Sequence, residues 1–421
     1  MNLKSPILHF VFILCLCGGG LKAQEPTQVQ PGQGPAEQAA ALKGEGGELS
    51  PADYERLKIE VQYDQKPAAC NQKGPEECKK SLLAGRQCIN CDLSGVDLNG
   101  ADLSNKDLRG ANLSNSKLIG ANLEGSKLEF TTLDQADLTN AKLKGVKLQS
   151  SSLIGVKLEN ADMEGAELID LQLDQASFKG ANLSNAKGDH LKGVGASFEG
   201  ANLKGMAMQA SSLERANLTK ADLSGAKFQG NWFKGAKFDQ AKLYRSQMKQ
   251  NDFREASMKE VQLWDTQLDG SRLERTDLTG SDLTRASLNK VKAFEVNFSN
   301  ANLSQAQLVE SIQTGGNFSN ANLEGADLVG VNLIGANLAG ANLKLAVMNE
   351  ANLSGANLDG ANLEGASLID ASLIGANLMR VNLTQATLSN TNLRGAQLDE
   401  ATWFDGSRCL HDSLGSCKQL N

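Results

Sequence analysis

With 5% aromatic residues and 7 prolines in 421 residues, the chain has too few bulky side chains for an ordinary large globular core, and a repetitive architecture has to replace it. Its formal charge of -7 excludes the basic footprint of a nucleic-acid binder, and no dense acidic block is present.

The first residues read as an export signal. Lys4 is the positive start, Ile7 to Leu16 is an apolar run too short to span a bilayer, and Ala23 offers a small residue before Gln24. Cleavage is expected after Ala23, leaving residues 1–23 as signal peptide. A lipoprotein signal through Cys15 or Cys17 is the alternative, but each of these cysteines follows a leucine. No later stretch is long and apolar enough for a membrane helix, so export to a bacterial periplasm or beyond is expected.

Residues 24–49 are rich in Gln, Pro, Gly, Ala and Glu with little to bury and read as a disordered linker. Residues 50–87 form a helical cap region. Ser50 and Pro51, with Asp53 in the first turn and Tyr54, Leu57, Ile59 and Val61 behind, make a helix start. A second short helix is predicted from Pro75 to Ala84, with Leu82 and Leu83 laid over whatever follows.

From Leu93 a large apolar residue recurs every five positions through Leu98, Leu103 and Leu108, and the phase still holds at Leu393, Leu398 and Trp403. That makes about 63 units without a net insertion. The residue two before each centre is small and the one just before it is polar, as in Ala321-Asn322-Leu323. A period of five fits neither a helix nor a strand, so each unit is a short extended piece plus a turn, and coils must stack to bury their centres.

This pattern resembles the pentapeptide-repeat family. The resemblance implies an all-β solenoid over residues 88–403, a right-handed quadrilateral β-helix with four units per coil. About 16 coils at strand spacing would make a rod ~75 Å tall. The entry with Cys88-Ile89-Asn90-Cys91 and the exit Thr402-Trp403 leading to a cap over residues 404–421 look like the ends of exported members. Family functions are diverse, so membership fixes little chemistry.

Residues twenty apart should then stack. Asn302, Asn322, Asn342, Asn362 and Asn382 make one amide column, and Asn297, Asn317, Asn337, Asn357 and Asn377 another. Lys117, Asp137 and Lys157 alternate in sign, whereas Lys127 and Lys147 stack like charges. Inward Asn231 and Asn251 should bond each other, since an unpaired buried amide is costly. Tyr244 and Trp264 should stack beside Lys242 and Arg245, a possible interaction patch, while Trp232 lies on the opposite face. Three faults interrupt the inward column: Gly188 with Gly193, Ala293, and Gln313. At the last two, either Phe294 and Ile312 swing inward through a bulge, or they stay out and form an apolar stripe with Ile334 and Ile374.

Six cysteines sit at the ends of the repeat and are expected to form disulfides in an oxidising compartment. Cys70, Cys78, Cys88 and Cys91 allow three pairings, and Cys409 most simply pairs with Cys417. A metal site is disfavoured because the Cys70 to Cys78 gap lacks zinc-ligand spacing. His190 and His411 have no catalytic setting, and neither a catalytic group nor a cofactor is expected. With both ends covered, no open-ended filament is expected, and the chain reads as a monomer or side-by-side dimer. The leading function is a non-enzymatic exported scaffold or interaction module for a protein or glycan partner, with no nucleic acid. The alternatives are a carbohydrate-binding or enzymatic β-helix using the central aromatic patch and, with less support, the family's DNA-mimic role towards topoisomerases.

Overall fold

The computed structural model describes residues 69–419; the expected signal peptide, the linker and the helix start at Ser50 lie outside the described residues. Ala69–Lys73 is a 3-10 helix. Helix α1, Pro75–Leu83, follows after Gly74, and its proline sits where the missing N–H leaves nothing unsatisfied. Leu82 is buried, but Leu83, expected beside it, is 53% exposed. Adjacent helical residues point in different directions, so only one of the two can face the first coil.

The chain then winds into a parallel solenoid. Bridges join the usually polar residue before each centre to the one twenty on, from Asp92 with Asn112 to Asn382 with Thr402, so four five-residue units close one coil. Each side of this quadrilateral β-helix is one stack of units. Face one carries Leu103, Leu243 and Leu263 inward, and face two carries Leu108, Leu148, Phe228 and Met248. Face three carries Leu113, Phe233, Phe253, Ala293 and Gln313, and face four Leu118, Phe238 and Met258; all are buried. At most corners the N–H of the small inward residue donates to the preceding centre, as Ala111 does to the Leu108 carbonyl at 3.0 Å. The residue before it is left-handed, as at Gly125 and Asn115. Only the second central residue of the turn is so placed, the type II arrangement, which explains why Gly and Asn recur there.

One corner departs from this pattern over several coils, and the single turn Met258–Val261 at another corner does so as well. Between faces two and three, from Leu128–Thr131 to Met248–Asn251, the turn bond is absent. Alongside it, face two forms five short parallel strands: β1 Lys147–Gln149, β2 Glu167–Ile169, β3 Lys187–Asp189, β4 Ala207–Gln209 and β5 Lys227–Gln229. Where the inward residue one coil on is polar, its side chain takes over the lost bonds. The Asn231 amide accepts the Ser211 N–H at 3.0 Å and donates to the Met208 carbonyl at 3.1 Å. It also donates to Asn251 Oδ1 at 3.1 Å, the expected buried pair. Ser151 serves the Leu128–Thr131 turn in the same way through its hydroxyl.

The faults keep their phase without a bulge. At Gly188 an added Cβ would lie 2.9 Å from both Leu191 Cδ1 and Met206 Cε, so large residues at two normally small positions fill the space the missing leucine leaves. Phe294 is 41% exposed while Ala293 and Gln313 are buried, which selects the outward stripe over the bulge. Phe294, Ile334 and Ile374 recur on alternate coils of face three, and Ile312 beside them is half-buried.

The C-terminal end corrects one expectation. Beyond Trp403 the chain pairs antiparallel with only two sides of the last coil, Thr402 with Arg408 and Gln397 with Leu414, closed by Cys409–Cys417. Faces two and three of that coil carry no strand above them, and Leu388 and Leu393 are only partly buried there. Among the described residues, two sides of the last coil are therefore covered and two are not.

Candidate interaction face

The outward aromatic pair arises directly from the register. Tyr244 and Trp264 each follow an inward leucine on face one, exactly one coil apart in sequence, and their rings stack with centroids 4.5 Å apart and planes 4° from parallel. The Arg245 guanidinium lies 4.9 Å from the Trp264 ring centroid, a cation–π distance. Lys242 is exposed on the same face. Trp232, 47% exposed, is on face three, across the rod.

Several arginines in this part of the rod are ion-paired. Arg254 pairs with Asp252, Arg272 with Glu274, Arg275 with Glu295 and Arg285 with Asp265. Arg285 hydrogen-bonds the Asp265 carboxylate at 2.8 and 3.0 Å and, with a further pull from Arg245, holds it below the ordinary carboxylate range. Lys187, Lys227 and Lys242 form no ion pair among the described residues, as is also true of Lys192, Arg215, Lys220, Lys237 and Lys292, while Arg245 is engaged with Trp264.

Around the corner from Tyr244, the same coil continues through Gln247 and Lys249 onto face two. There a groove of about 360 Å³ runs between Lys187, Asp189, Gln209, Lys227, Gln229 and Lys249, over Ala207 and Phe228. Sequence reasoning did not find it. Its signal is Ala207, which sits in register between Lys187 and Lys227 and leaves a gap between two long side chains.

The other candidates fall apart from this region. His190 Nδ1 lies 3.5 Å from Asp170, both side chains largely exposed, and His411 is exposed in the C-terminal cap. At the opposite end Cys70 pairs with Cys78 and Cys88 with Cys91, one of the three pairings the sequence left open. Among the described residues no helix is long and apolar enough to cross a membrane.

A family model described as pentapeptide repeats matches successive windows within residues 91–230, 256–292 and 294–402, together more than half of the chain. Among solved structures, HetL, a pentapeptide repeat protein involved in heterocyst differentiation regulation in the cyanobacterium Nostoc, is 24% identical over 79% of this chain and 98% of its own, with a TM-score of 0.20. A thylakoid-lumen pentapeptide repeat protein of Arabidopsis thaliana is 26% identical over 29% of this chain and 79% of its own, TM-score 0.19. QnrB1, a plasmid-mediated fluoroquinolone resistance protein, is 19% identical over 52% of this chain and 94% of its own, TM-score 0.21. A search of curated protein sequences returns no match.

Proposed function

Because the chain belongs to the pentapeptide repeat family, whose fold hosts no fixed chemistry, we propose that it is an exported, non-enzymatic interaction module that binds a protein partner through the central segment. The observation that carries this reading is the outward Tyr244–Trp264 stack with the Arg245 guanidinium beside it. Lys242 and Arg245 flank the Tyr244–Trp264 stack, and Lys187 and Lys227 line the adjoining groove. Aromatic rings beside cations suit a partner that offers acidic side chains around an apolar anchor.

A glycan partner is the second reading, and the groove's amides at Gln209, Gln229 and Gln247 favour it. The aromatic pair favours it less, since one face of each ring is covered by the other and sugar stacking needs an open face. The DNA-mimic reading is not supported by lysines interspersed along every face.

The test compares wild type with Tyr244→Ala/Trp264→Ala and with Arg245→Glu in capture from the native envelope and on a glycan array. A protein bound by wild type and lost from both variants supports the module. Capture that is identical for all three overturns it, and glycan binding lost from the double variant selects the second reading. Recovery of the chain outside the cytoplasm beginning at Gln24 tests the export component separately.

A further inference from the structure

The two N-terminal disulfides are packed sulfur against sulfur. Cys70 Sγ lies 3.5 Å from Cys91 Sγ across two different bridges, and the sulfurs of Cys70, Cys88 and Cys91 all fall within 4.8 Å of one another. Cys78 lies outside that group of three but is joined to it through its bond to Cys70. Cys78, Cys88 and Cys91 are buried, and Cys70 is half-buried.

Contacts other than the disulfides hold this cluster together. Asn71 Nδ2 donates to the Asn90 carbonyl at 2.7 Å, and Asn71 Oδ1 accepts the Asp92 N–H at 2.8 Å. These bonds dock the 3-10 helix onto the loop that carries Cys88 and Cys91. Cys88 N–H and Asn90 N–H are meanwhile bonded to the Asp107 and Arg109 carbonyls of the next coil. Cleaving both bridges therefore leaves the sulfurs of Cys70, Cys88 and Cys91 gathered by the backbone and by Asn71, with Cys78 carried beside them on helix α1.

We propose that in the reduced chain this cluster is a four-thiolate site for one zinc ion, and that the metal and the two disulfides are alternative occupants of the same cap. Tetrahedral zinc with Zn–S bonds of about 2.3 Å sets its sulfurs about 3.8 Å apart, close to the 3.5 Å already found between Cys70 and Cys91. Cys88-x-x-Cys91 has the spacing of a zinc knuckle. Cys70 and Cys78 lack such spacing in sequence, but helix α1 brings their Cα atoms to 4.9 Å, against 5.2 Å for Cys88 and Cys91. Burial excludes water and favours the metal-bound thiolates over free ones.

Interconversion balances with a disulfide oxidant such as glutathione disulfide. Four zinc-bound thiolates and two oxidant molecules give two protein disulfides, four glutathione thiols after uptake of four protons, and free zinc. Four electrons pass from the protein sulfurs to the oxidant.

The experiment uses the full chain, reduced with a phosphine under anaerobic conditions, stripped of metal and titrated with zinc or cobalt. One tightly held zinc per chain is expected, together with cobalt spectra of a tetrahedral thiolate site. Binding should persist in Cys409→Ser/Cys417→Ser and in Cys15→Ser/Cys17→Ser, and be lost in Cys88→Ser/Cys91→Ser. Cys70→Ser should shift the cobalt spectrum towards three thiolates, a readout that misfolding of the cap would not mimic. Glutathione disulfide should release the zinc as the 70–78 and 88–91 bridges form. No uptake by the reduced wild type, uptake that survives Cys88→Ser/Cys91→Ser, or zinc retained after both bridges have formed would each overturn the proposal.

Discussion

The side chain of Asn251 completes a turn that belongs to Asn231. Its Oδ1 accepts the Asn231 N–H at 2.8 Å, and its Nδ2 donates to the Phe228 carbonyl at 3.0 Å, the two groups that would bond each other if the turn were closed. One coil further on, the Ser271 hydroxyl does the same for Asn251 N–H and the Met248 carbonyl, at 3.2 and 2.9 Å. The polar inward column is thus a set of braces, each serving the coil before it.

Asn251→Ala should therefore destabilise the chain by about 1–3 kcal/mol, the penalty of leaving buried backbone groups unsatisfied. Asn251→Ser should cost less, because a hydroxyl can both accept and donate, as Ser271 shows. Denaturant midpoints of the two variants check this. An unchanged midpoint for the alanine variant would mean that the 228–231 turn closes on itself and that the amide merely follows the open turn.

The outward asparagine ladders have a direction. Asn322 donates to Asn302, Asn342 to Asn322, Asn362 to Asn342 and Asn382 to Asn362, at 3.0–3.3 Å, while each Oδ1 also accepts an N–H two residues on, as from Ser304. Donors always point towards the N-terminal end. Asp282, an acceptor only, lies at the foot of this ladder beneath Asn302, and Asp277 lies beneath Asn297 in the other. An aspartate at the foot therefore meets only a donor, whereas one inside the ladder would also face an acceptor, as Asp222 does above Asn202 with Lys204 paired to it. Asn342→Asp should lower stability at neutral pH, by about 1–3 kcal/mol from an acceptor facing an acceptor, whereas Asp282→Asn should be near neutral. Equal effects would refute the direction.

How much of this was legible follows from what the period encodes. Because the five-residue phase never slips, it placed Tyr244 against Trp264, Asn231 against Asn251 and every ladder before any coordinates. It could not place what depends on volume or on non-repeating chain. Whether Phe294 turns inward depends on how neighbouring coils pack around Ala293, and the compensation of Gly188 by Leu191 and Met206 lies at positions the repeat labels small. The groove over Ala207 is a difference in side-chain length, which a column of residue types does not display as a space. Cysteine pairing and the half-covered C-terminal end lie outside the repeat, where twenty-residue register has no say.

Acid should loosen the rod through its half-buried aspartates. Burial works to raise the carboxyl of Asp252, but hydrogen bonds from Arg254 and the charges of Arg254 and Arg272 outweigh it and hold it below its ordinary value; Asp107, Asp222 and Asp277 are likewise lowered. A depressed folded-state value contributes stability that is fully present above the unfolded value near ~3.9 and is lost as pH falls through the folded value. Denaturant midpoints should therefore hold from neutrality to about pH 5 and fall steadily below it. Asp252→Asn removes one titrating group and should flatten that fall. Parallel wild-type and variant curves would show that Asp252 contributes nothing to acid sensitivity.

The Gly188 fault makes a size-exchange prediction. Restoring the repeat's leucine by Gly188→Leu drives a side chain into Leu191 and Met206, already 2.9 Å from the first added carbon, and should destabilise by about 1–3 kcal/mol from overpacking. Leu191→Ala alone leaves a cavity and should cost about 2–5 kcal/mol. If the two positions trade volume, Gly188→Leu/Leu191→Ala should lose less than the sum of the single losses, because the new leucine occupies the space the old one vacates and returns the coil to a large centre beside a small corner. A double-mutant cycle on thermal or denaturant stability measures the coupling. Strict additivity would mean that Met206 alone compensates the glycine and that Leu191 fills a separate space.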